Sequence, residues 1–446
     1  MTNYDVAIIG AGPAGLFAAY HILERTRRAT VALIDMGRAA QERACCGNCG
    51  RCGDRDQCAI LCGVGGGGLF SDGKLVLDIH SGGKLDVVSH LNEAEKEGLR
   101  NFIVRTLKRF DGQSEPGPEV SAVERMQWQE RCRSAGLEIK HYDVLHMGTE
   151  NLRHITTGFA AEIDRSPRVS FYLGCRIMQV EHRLDGGSVL YAEDGRSLAA
   201  KQVIFAVGKT GSEWTRELFE QNGIAFRREA TYLGVRLEVP HTALEELFSY
   251  SFDPKIWAYY GERKVKTHCF CRHGEIVCSS YMGYPVVGGH TRFTAKNGIQ
   301  FQPQKANFNV LASTRREREE ICSILHRFSQ LNPDGVSVQE LSEFLCAGQA
   351  GETVRGILDE LDGSGAIIAD FILRLSKIAP GILCGGRVYA PALEWFMDSV
   401  QVDSNMETSR KGWFAVGDGA GLSQGIVHSA ATSMIAAEAA CRQIEE

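Results

Sequence analysis

No stretch of this chain stays apolar for the roughly 20 residues that a membrane-spanning helix requires, so no membrane span is expected. Charge of one sign is not in excess either. Lys and Arg number 49 against 55 Asp and Glu, a net −6 with the signs interspersed, which speaks against a nucleic-acid partner. Even Arg25-Thr-Arg-Arg28 and Arg315-Arg-Glu-Arg-Glu-Glu320 read as solvated faces. The amino terminus lacks a charged stretch leading into a signal-type apolar segment, because its first apolar run reads as a strand. Repeats, low-complexity tracts and long linkers are missing, and Asp334-Gly lacks the alternating acidic ligands of a calcium loop. What remains is the composition of a globular protein of two or three domains: 446 residues, 44% hydrophobic and 23% charged. Its 15 cysteines would suggest a disulfide scaffold only in a short secreted chain; here they suggest a reducing cytoplasm and a thiolate site.

The two ends of the chain are built for one ligand. Tyr4-Asp-Val-Ala-Ile-Ile-Gly-Ala-Gly-Pro-Ala-Gly15 reads as a buried strand, a glycine turn and a helix over Leu16–Leu23. Gly10 permits the turn, Gly12 lets backbone approach a pyrophosphate, and Gly15 allows close helix packing. Pro13 and Ala14 open a helix whose free N–H groups suit a diphosphate. The next strand, Thr30-Val-Ala-Leu-Ile-Asp35, ends in a carboxylate where a ribose acceptor belongs. Far along the chain, Trp413-Phe-Ala-Val-Gly-Asp-Gly-Ala-Gly421 predicts another strand that delivers Gly417 and Asp418, followed by Gly425 and a helix from Ile426 to Ala440. An ordinary α/β domain with a glycine-rich turn is the plainer alternative.

Between these ends the periodicity predicts helices in Val88–Phe110 and Val120–Ala135, and a meander from Val169–Leu173, Cys175–Glu181 and Ser188–Ala192. Gln202-Val-Ile-Phe-Ala-Val-Gly208 predicts a buried strand beside the first one. From Tyr232 the pattern shifts to strands with longer loops, among them Leu233–Val239, Thr267–Cys271 and Glu275–Ser279. Helices are expected in Ala312–Phe328 and Val336–Cys346, then a loop-rich stretch leads back to Trp413.

Several segments carry a resemblance. Gly65-Gly-Gly-Gly-Leu-Phe-Ser71-Asp72-Gly-Lys74-Leu, Gly234-Val-Arg236-Leu-Glu, His146-Met-Gly-Thr149-Glu-Asn-Leu-Arg153 and Thr267-His-Cys269-Phe-Cys271 are similar to motifs of a bacterial family of uncharacterised FAD-dependent dehydrogenases. That family belongs with the glutathione-reductase-like flavoproteins. The resemblance implies FAD, an aspartate at Asp418 on the ribityl chain, and Ala206-Val-Gly208 closing the sheet over the adenine side. It implies an α/β fold: a Rossmann-like FAD-binding domain (1–231 and 385–446) with an inserted α+β substrate domain on an antiparallel sheet (232–384). No second G-x-G-x-x-G follows a predicted strand and opens a helix, so a dedicated nicotinamide domain is not expected. Gly67, Gly68, Ser71 and Asp72 would then approach the cofactor, with Lys74 near the flavin edge. Alternatively Asp72-Gly is a plain turn and Lys74 a solvated side chain.

Cys45-Cys46-Gly-Asn-Cys49-Gly-Arg-Cys52, then Cys58 and Cys62, form a dense run within the loop 45–62. Cys46, Cys49 and Cys52 have ligand-like spacing, with Cys58 or Cys62 as the fourth donor for an iron–sulfur cluster or zinc. A redox dithiol and unliganded thiols remain open readings. On the strand Thr267–Cys271, a period of two puts Cys269 and Cys271 on one face, where they or His268 could serve as acid or base. Core thiols are the plainer reading. His428, near the start of the last helix, and His290 are further candidates, each set against a packing role. The expected function is an FAD-dependent oxidoreductase moving hydride to or from a small organic substrate. A flavin monooxygenase, and an electron-transfer or redox-sensing flavoprotein with a protein partner, are the alternatives; a nicotinamide nucleotide is a further candidate partner.

Overall fold

The computed structural model describes residues 2–45, 57–71, 73–183, 186–291, 294–296, 299–301, 303–333, 335–346, 352–394 and 398–445, with backbone alone for 290–301. Its first layer is a parallel sheet. Strand Thr2–Ile9 lies between Val31–Asp35 and Ser197–Phe205, and Val169–Leu173 extends the sheet beyond Val31–Asp35. Trp413–Ala415 joins the carboxyl half of Ser197–Phe205 in parallel, while the amino half of the same edge takes the antiparallel hairpin Ile177–His182 and Ser188–Ala192. Val6, Ala7 and Ile8 are buried on both faces of their strand, which is why the run is continuously apolar instead of alternating. Helices Pro13–Arg25, Thr149–Asp164 and Ile426–Glu445 share this core, the first two meeting through Phe17 and Phe159 at 4.9 Å between ring centres.

The second layer is a wholly antiparallel sheet in the order Ser337–Glu340, Arg387–Glu394, Thr231–Pro240, Lys305–Thr314, Arg263–Cys271, Lys255–Tyr260, Glu138–Lys140. Its core takes in Ile321, Ile324, Leu325 and Phe328 from helix Arg318–Leu331, and Ile368, Phe371, Ile372 and Leu375 from helix Ser364–Ser376. The expected α/β class with an antiparallel sheet is therefore the observed one.

Several local expectations differ. The segment 232–384 is too narrow for the second sheet, because Arg387–Glu394 and Glu138–Lys140 both pair into it. Backbone pairing across long sequence separation leaves no local trace at such boundaries. Val169–Leu173 is a parallel edge strand rather than the first leg of a meander. Ala312–Thr314 completes a strand, not a helix; every side chain from Ala306 to Thr314 is buried, so no period of two was visible there. The helix begins at Arg318, where Glu317 and Glu320 form a reciprocal capping box. Ser337–Glu340 is likewise a strand ahead of the short helix Leu341–Leu345. The stretch expected to be loop-rich holds helices Val354–Asp359 and Ser364–Ser376 and the strand Arg387–Glu394.

Candidate active site

Strands Thr2–Ile9, Val31–Asp35, Ser197–Phe205 and Trp413–Ala415 all end at one cavity of about 880 Å³. Ligand crevices at the carboxyl ends of parallel strands are the general rule for open α/β sheets. Gly10, Gly12, Pro13, Ala14, Asp35, Gly67, Gly68, Ser71, Lys74, Ala206, Gly208, Gly417, Asp418, Gly425 and Ile426 line it, as do His268, Cys269 and Cys62. Gly15, Cys58, Cys271 and His428 do not.

The glycines divide by what they touch. A Cβ at Gly10 would sit 2.2 Å from the Ala206 carbonyl oxygen, and φ there is +108°. A Cβ at Gly15 would fall 1.8 Å from the Gly10 carbonyl oxygen. The protein's own backbone demands these two. Gly12 is different: its nearest neighbour would be the Gly66 Cα at 3.7 Å, and its φ of −73° suits any residue. It caps helix Pro13–Arg25 at the cavity wall. The glycine run Gly65–Gly68 folds over this turn, with the Gly65 amide donating to the Ala11 carbonyl at 2.8 Å. Together they make a cradle in which a Cβ would occupy ligand space, the fit a pyrophosphate group needs.

Two carboxylates sit at strand ends with different partners. Asp35 accepts from the amides of Ala11, Gly37 and Gly63, each at 2.8 Å. Asp418 accepts at one oxygen from the hydroxyls of Ser423 (2.7 Å) and Ser429 (2.8 Å) and from the Gly425 amide (3.3 Å). Its other oxygen lies 3.7 Å from the Lys209 ammonium. A Cβ at Gly419 would strike the Gly208 carbonyl at 2.3 Å, so the turns after Phe205 and Ala415 are in contact.

The facing wall comes from the antiparallel sheet, through Asp253, Lys255, Ile256, Trp257, Lys264, Lys266, Thr267, His268 and Cys269. Buried Asp253 accepts from the Tyr142 hydroxyl (2.9 Å), the Lys255 ammonium (2.8 Å) and the Phe270 amide (2.9 Å). Burial opposes its charge, but Lys255, Lys74 and the Phe270 amide hold the carboxyl far below the usual range. Burial, with Lys255 adding, pushes the His268 imidazole down to about 3. Its Nδ1 has no hydrogen-bond partner among the described residues.

Cys269 and Cys271 are not on one face. The pairing with Lys305–Thr314 slips between His268 and Cys271, and Cys269 takes a left-handed φ of +55°. This bulge breaks the period of two. Cys269 reaches the cavity, whereas Cys271 is fully buried with its sulfur 3.1 Å from a guanidinium nitrogen of Arg236. His428 is also misplaced by the sequence reading: it is buried, its Nε2 lies 2.9 Å from the Ile79 carbonyl, and it packs on Gly82 and Gly83. Burial lowers its pKa, with the Ile79 carbonyl opposing.

Cys46, Cys49, Cys52 and Asp72 lie outside the described residues, as does the His290 side chain. Cys58 and Cys62 are buried, and burial with Asp35 nearby pushes the Cys62 thiol up to about 12. Their loop wraps Arg43, whose guanidinium donates to the carbonyls of Ala59 (3.0 Å), Ile60 (2.8 Å) and Val64 (2.7 Å). Sequence reasoning missed Arg43, Asp253, Lys264 and Arg236. Only Arg236 carried a signal, its place in a resembling motif.

Buried imidazoles set an acid limit. Burial lowers the pKa of His141, His241 (to about 4), His268 and His428 below the ordinary histidine value of about 6.5. Above that value both states are neutral and pH has no effect. Below it the unfolded chain binds protons that the folded one refuses, so stability falls with pH, by up to about 1.4 kcal/mol per unit for each imidazole. Guanidinium midpoints at pH 7 and pH 5 measure this. His268→Gln is expected to flatten the slope, and an unchanged slope would place its titration elsewhere.

No family model matches the sequence, and no curated protein is similar to it. Among solved structures, a geranylgeranyl bacteriochlorophyll reductase-like protein from Thermoplasma acidophilum is 13% identical with a TM-score of 0.45, covering 100% of this chain and 79% of its own. PqsL from P. aeruginosa, solved with 2-aminobenzoylacetate, is 16% identical with a TM-score of 0.40 (100% and 86% covered). Glycine oxidase from Geobacillus kaustophilus is 14% identical with a TM-score of 0.39 (99% and 95% covered).

Proposed function

We propose that this protein is an FAD-dependent oxidoreductase that moves a hydride equivalent to or from a small organic substrate. The observation that carries this reading is Gly12: a glycine the fold itself does not require, at a helix start, facing the cavity where four parallel strands end. Gly12, Pro13, Ala14, Gly67, Gly68 and Ser71 would hold the diphosphate side, Asp35 the ribose, and Ala206 and Gly208 the adenine side. Gly417, Asp418, Gly425 and Ile426 would hold the ribityl side, where a helix amino terminus also favours negative charge. A bound flavin supplies two-electron redox chemistry; the antiparallel wall positions substrate and excludes water. A group held near 3 is a poor base at neutral pH, so His268 acts as a hydrogen-bonding group at Nδ1 instead of the proton acceptor. Cys269 and Lys74 are the remaining candidates at the cavity.

The run Cys46, Cys49 and Cys52, with Cys58 or Cys62, is carried as a proposed iron–sulfur or zinc ligand set on spacing alone. One anaerobic purification tests both proposals by visible spectrum, cofactor extraction and metal analysis. The expected result is about one FAD per chain, lowered in Asp418→Ala, and a metal lost in the Cys46, Cys49, Cys52→Ser triple variant with FAD retained. A colourless protein that takes up no added FAD overturns the flavin reading, and metal-free protein overturns the ligand set.

A further inference from the structure

The lining of the cavity is rich in cations. Lys74, Lys140, Lys209, Lys255, Lys264, Lys266 and Arg176 line the cavity, and its acidic lining residues are Asp35, Asp253 and Asp418. Most of these lysines have a carboxylate: Lys255 pairs with Asp253 (2.8 Å), Lys266 with Glu394 (2.5 Å), Lys140 with Asp78 (2.8 Å) and Lys209 with Asp418 (3.7 Å). Lys264 has no carboxylate within salt-bridge distance among the described residues. Its ammonium lies over the rings of Trp257, 4.6 Å from the centre, and Tyr259, at 5.8 Å. Those contacts stabilise the charge through the ring faces yet satisfy none of its three N–H donors. Burial, and the neighbouring charge of Lys266, both lower the pKa of Lys264. Glu138 and Glu394 oppose that lowering only from beyond salt-bridge distance, so the charge is held in place with no carboxylate in contact with it.

We propose that the cavity takes an anionic substrate, a small carboxylate with an apolar body, and that Lys264 holds its negative group. Trp257 serves twice, fixing the ammonium and offering a flat apolar surface. Ile256, Met178 and Trp214 extend that surface around the cavity. The excess of cationic over acidic lining also favours entry of anions, and a neutral analogue would leave the Lys264 charge uncompensated. Because Lys264 sits on the strand Arg263–Cys271, it belongs to a different sheet from the glycine turns assigned to the cofactor. This inference rests on the flavoenzyme reading only for what happens to the substrate once bound.

Acid and amide pairs test it directly on the flavin-containing protein: benzoate with benzamide, hexanoate with hexanamide, indole-3-acetate with indole-3-acetamide. Calorimetry or ligand-observed NMR reads their affinities. At least one acid should bind roughly ten- to a hundredfold tighter than its amide, the range of a charge-assisted hydrogen bond. Lys264→Met should erase that preference while leaving flavin content and amide binding unchanged. If no acid outbinds its amide, or if Lys264→Met keeps the preference, the inference fails. If Lys264→Met empties the protein of flavin, Lys264 serves the cofactor, which also overturns it. Wild-type protein without flavin is a separate failure, that of the flavoenzyme reading.

Discussion

Gly12→Val should give a folded protein that has lost most of its flavin, while Gly10→Ala should scarcely fold. The two glycines lie two residues apart in one turn, yet they answer to different neighbours. At Gly10 a Cβ would overlap the Ala206 carbonyl oxygen at 2.2 Å, on a backbone at φ +108° that side chains resist. Neither the turn nor strand Ser197–Phe205 can retreat, since Ile9 pairs with Phe205 in the centre of the sheet. The cost is on the order of 3–5 kcal/mol, a large part of a domain's net stability. At Gly12 an added Cβ meets only the Gly66 backbone, at ordinary contact distance, so denaturation midpoints should stay near wild type. What they do fill is the approach to the helix start. Overpacking against a bound diphosphate costs about 1–3 kcal/mol, roughly 5- to 150-fold in affinity. Flavin per chain after gel filtration and a urea titration of each variant read the two effects separately. Full flavin occupancy in Gly12→Val would remove the main support for the cofactor assignment.

That contrast also shows which parts of the site the sequence could disclose. The glycine turns and both carboxylates were legible because each motif is contiguous: strand, turn and helix start follow one another, and the sheet only brings the finished pieces together. Asp35 and Asp418 fell at strand ends for that reason. The opposite wall has no such grammar. Asp253, Lys255 and Lys264 are aligned by the pairing of Lys255–Tyr260 with Arg263–Cys271, and nothing in their spacing distinguishes them from an exposed hairpin. The bulge at Cys269 was invisible too, because it is imposed by what lies beneath the strand. Boundaries failed where pairing is long-range, as at Arg387–Glu394, whose partner strand Thr231–Pro240 lies far upstream.

What lies beneath that strand is Arg236, and its removal should be among the most damaging single changes in the protein. The side chain is 1% exposed. Its Nε donates to the Asn307 side-chain oxygen at 2.6 Å and its Nη1 to that of Asn309 at 2.9 Å. Nη2 reaches the Cys269 carbonyl at 3.0 Å and the Cys271 sulfur at 3.1 Å. Arg236→Met takes the guanidinium from four acceptors at once, two of them on the buried Asn307 and Asn309, a loss of about 3–5 kcal/mol. Arg236→Lys does not repair it, because one ammonium cannot span the fork of a guanidinium. The loss also reaches the cavity. A non-glycine residue at φ +55° costs about 1–2 kcal/mol, and the bond from Arg236 to the Cys269 carbonyl is what opposes its relaxation. Once that bond is gone the bulge can unwind toward regular pairing and turn Cys269 away from the cavity. Urea denaturation should therefore show both variants destabilised, and iodoacetamide labelling of Cys269, followed by peptide mass spectrometry, should change severalfold in whichever variant folds. Wild-type stability together with wild-type labelling in Arg236→Lys would mean that the guanidinium neither supports this core nor sets the bulge.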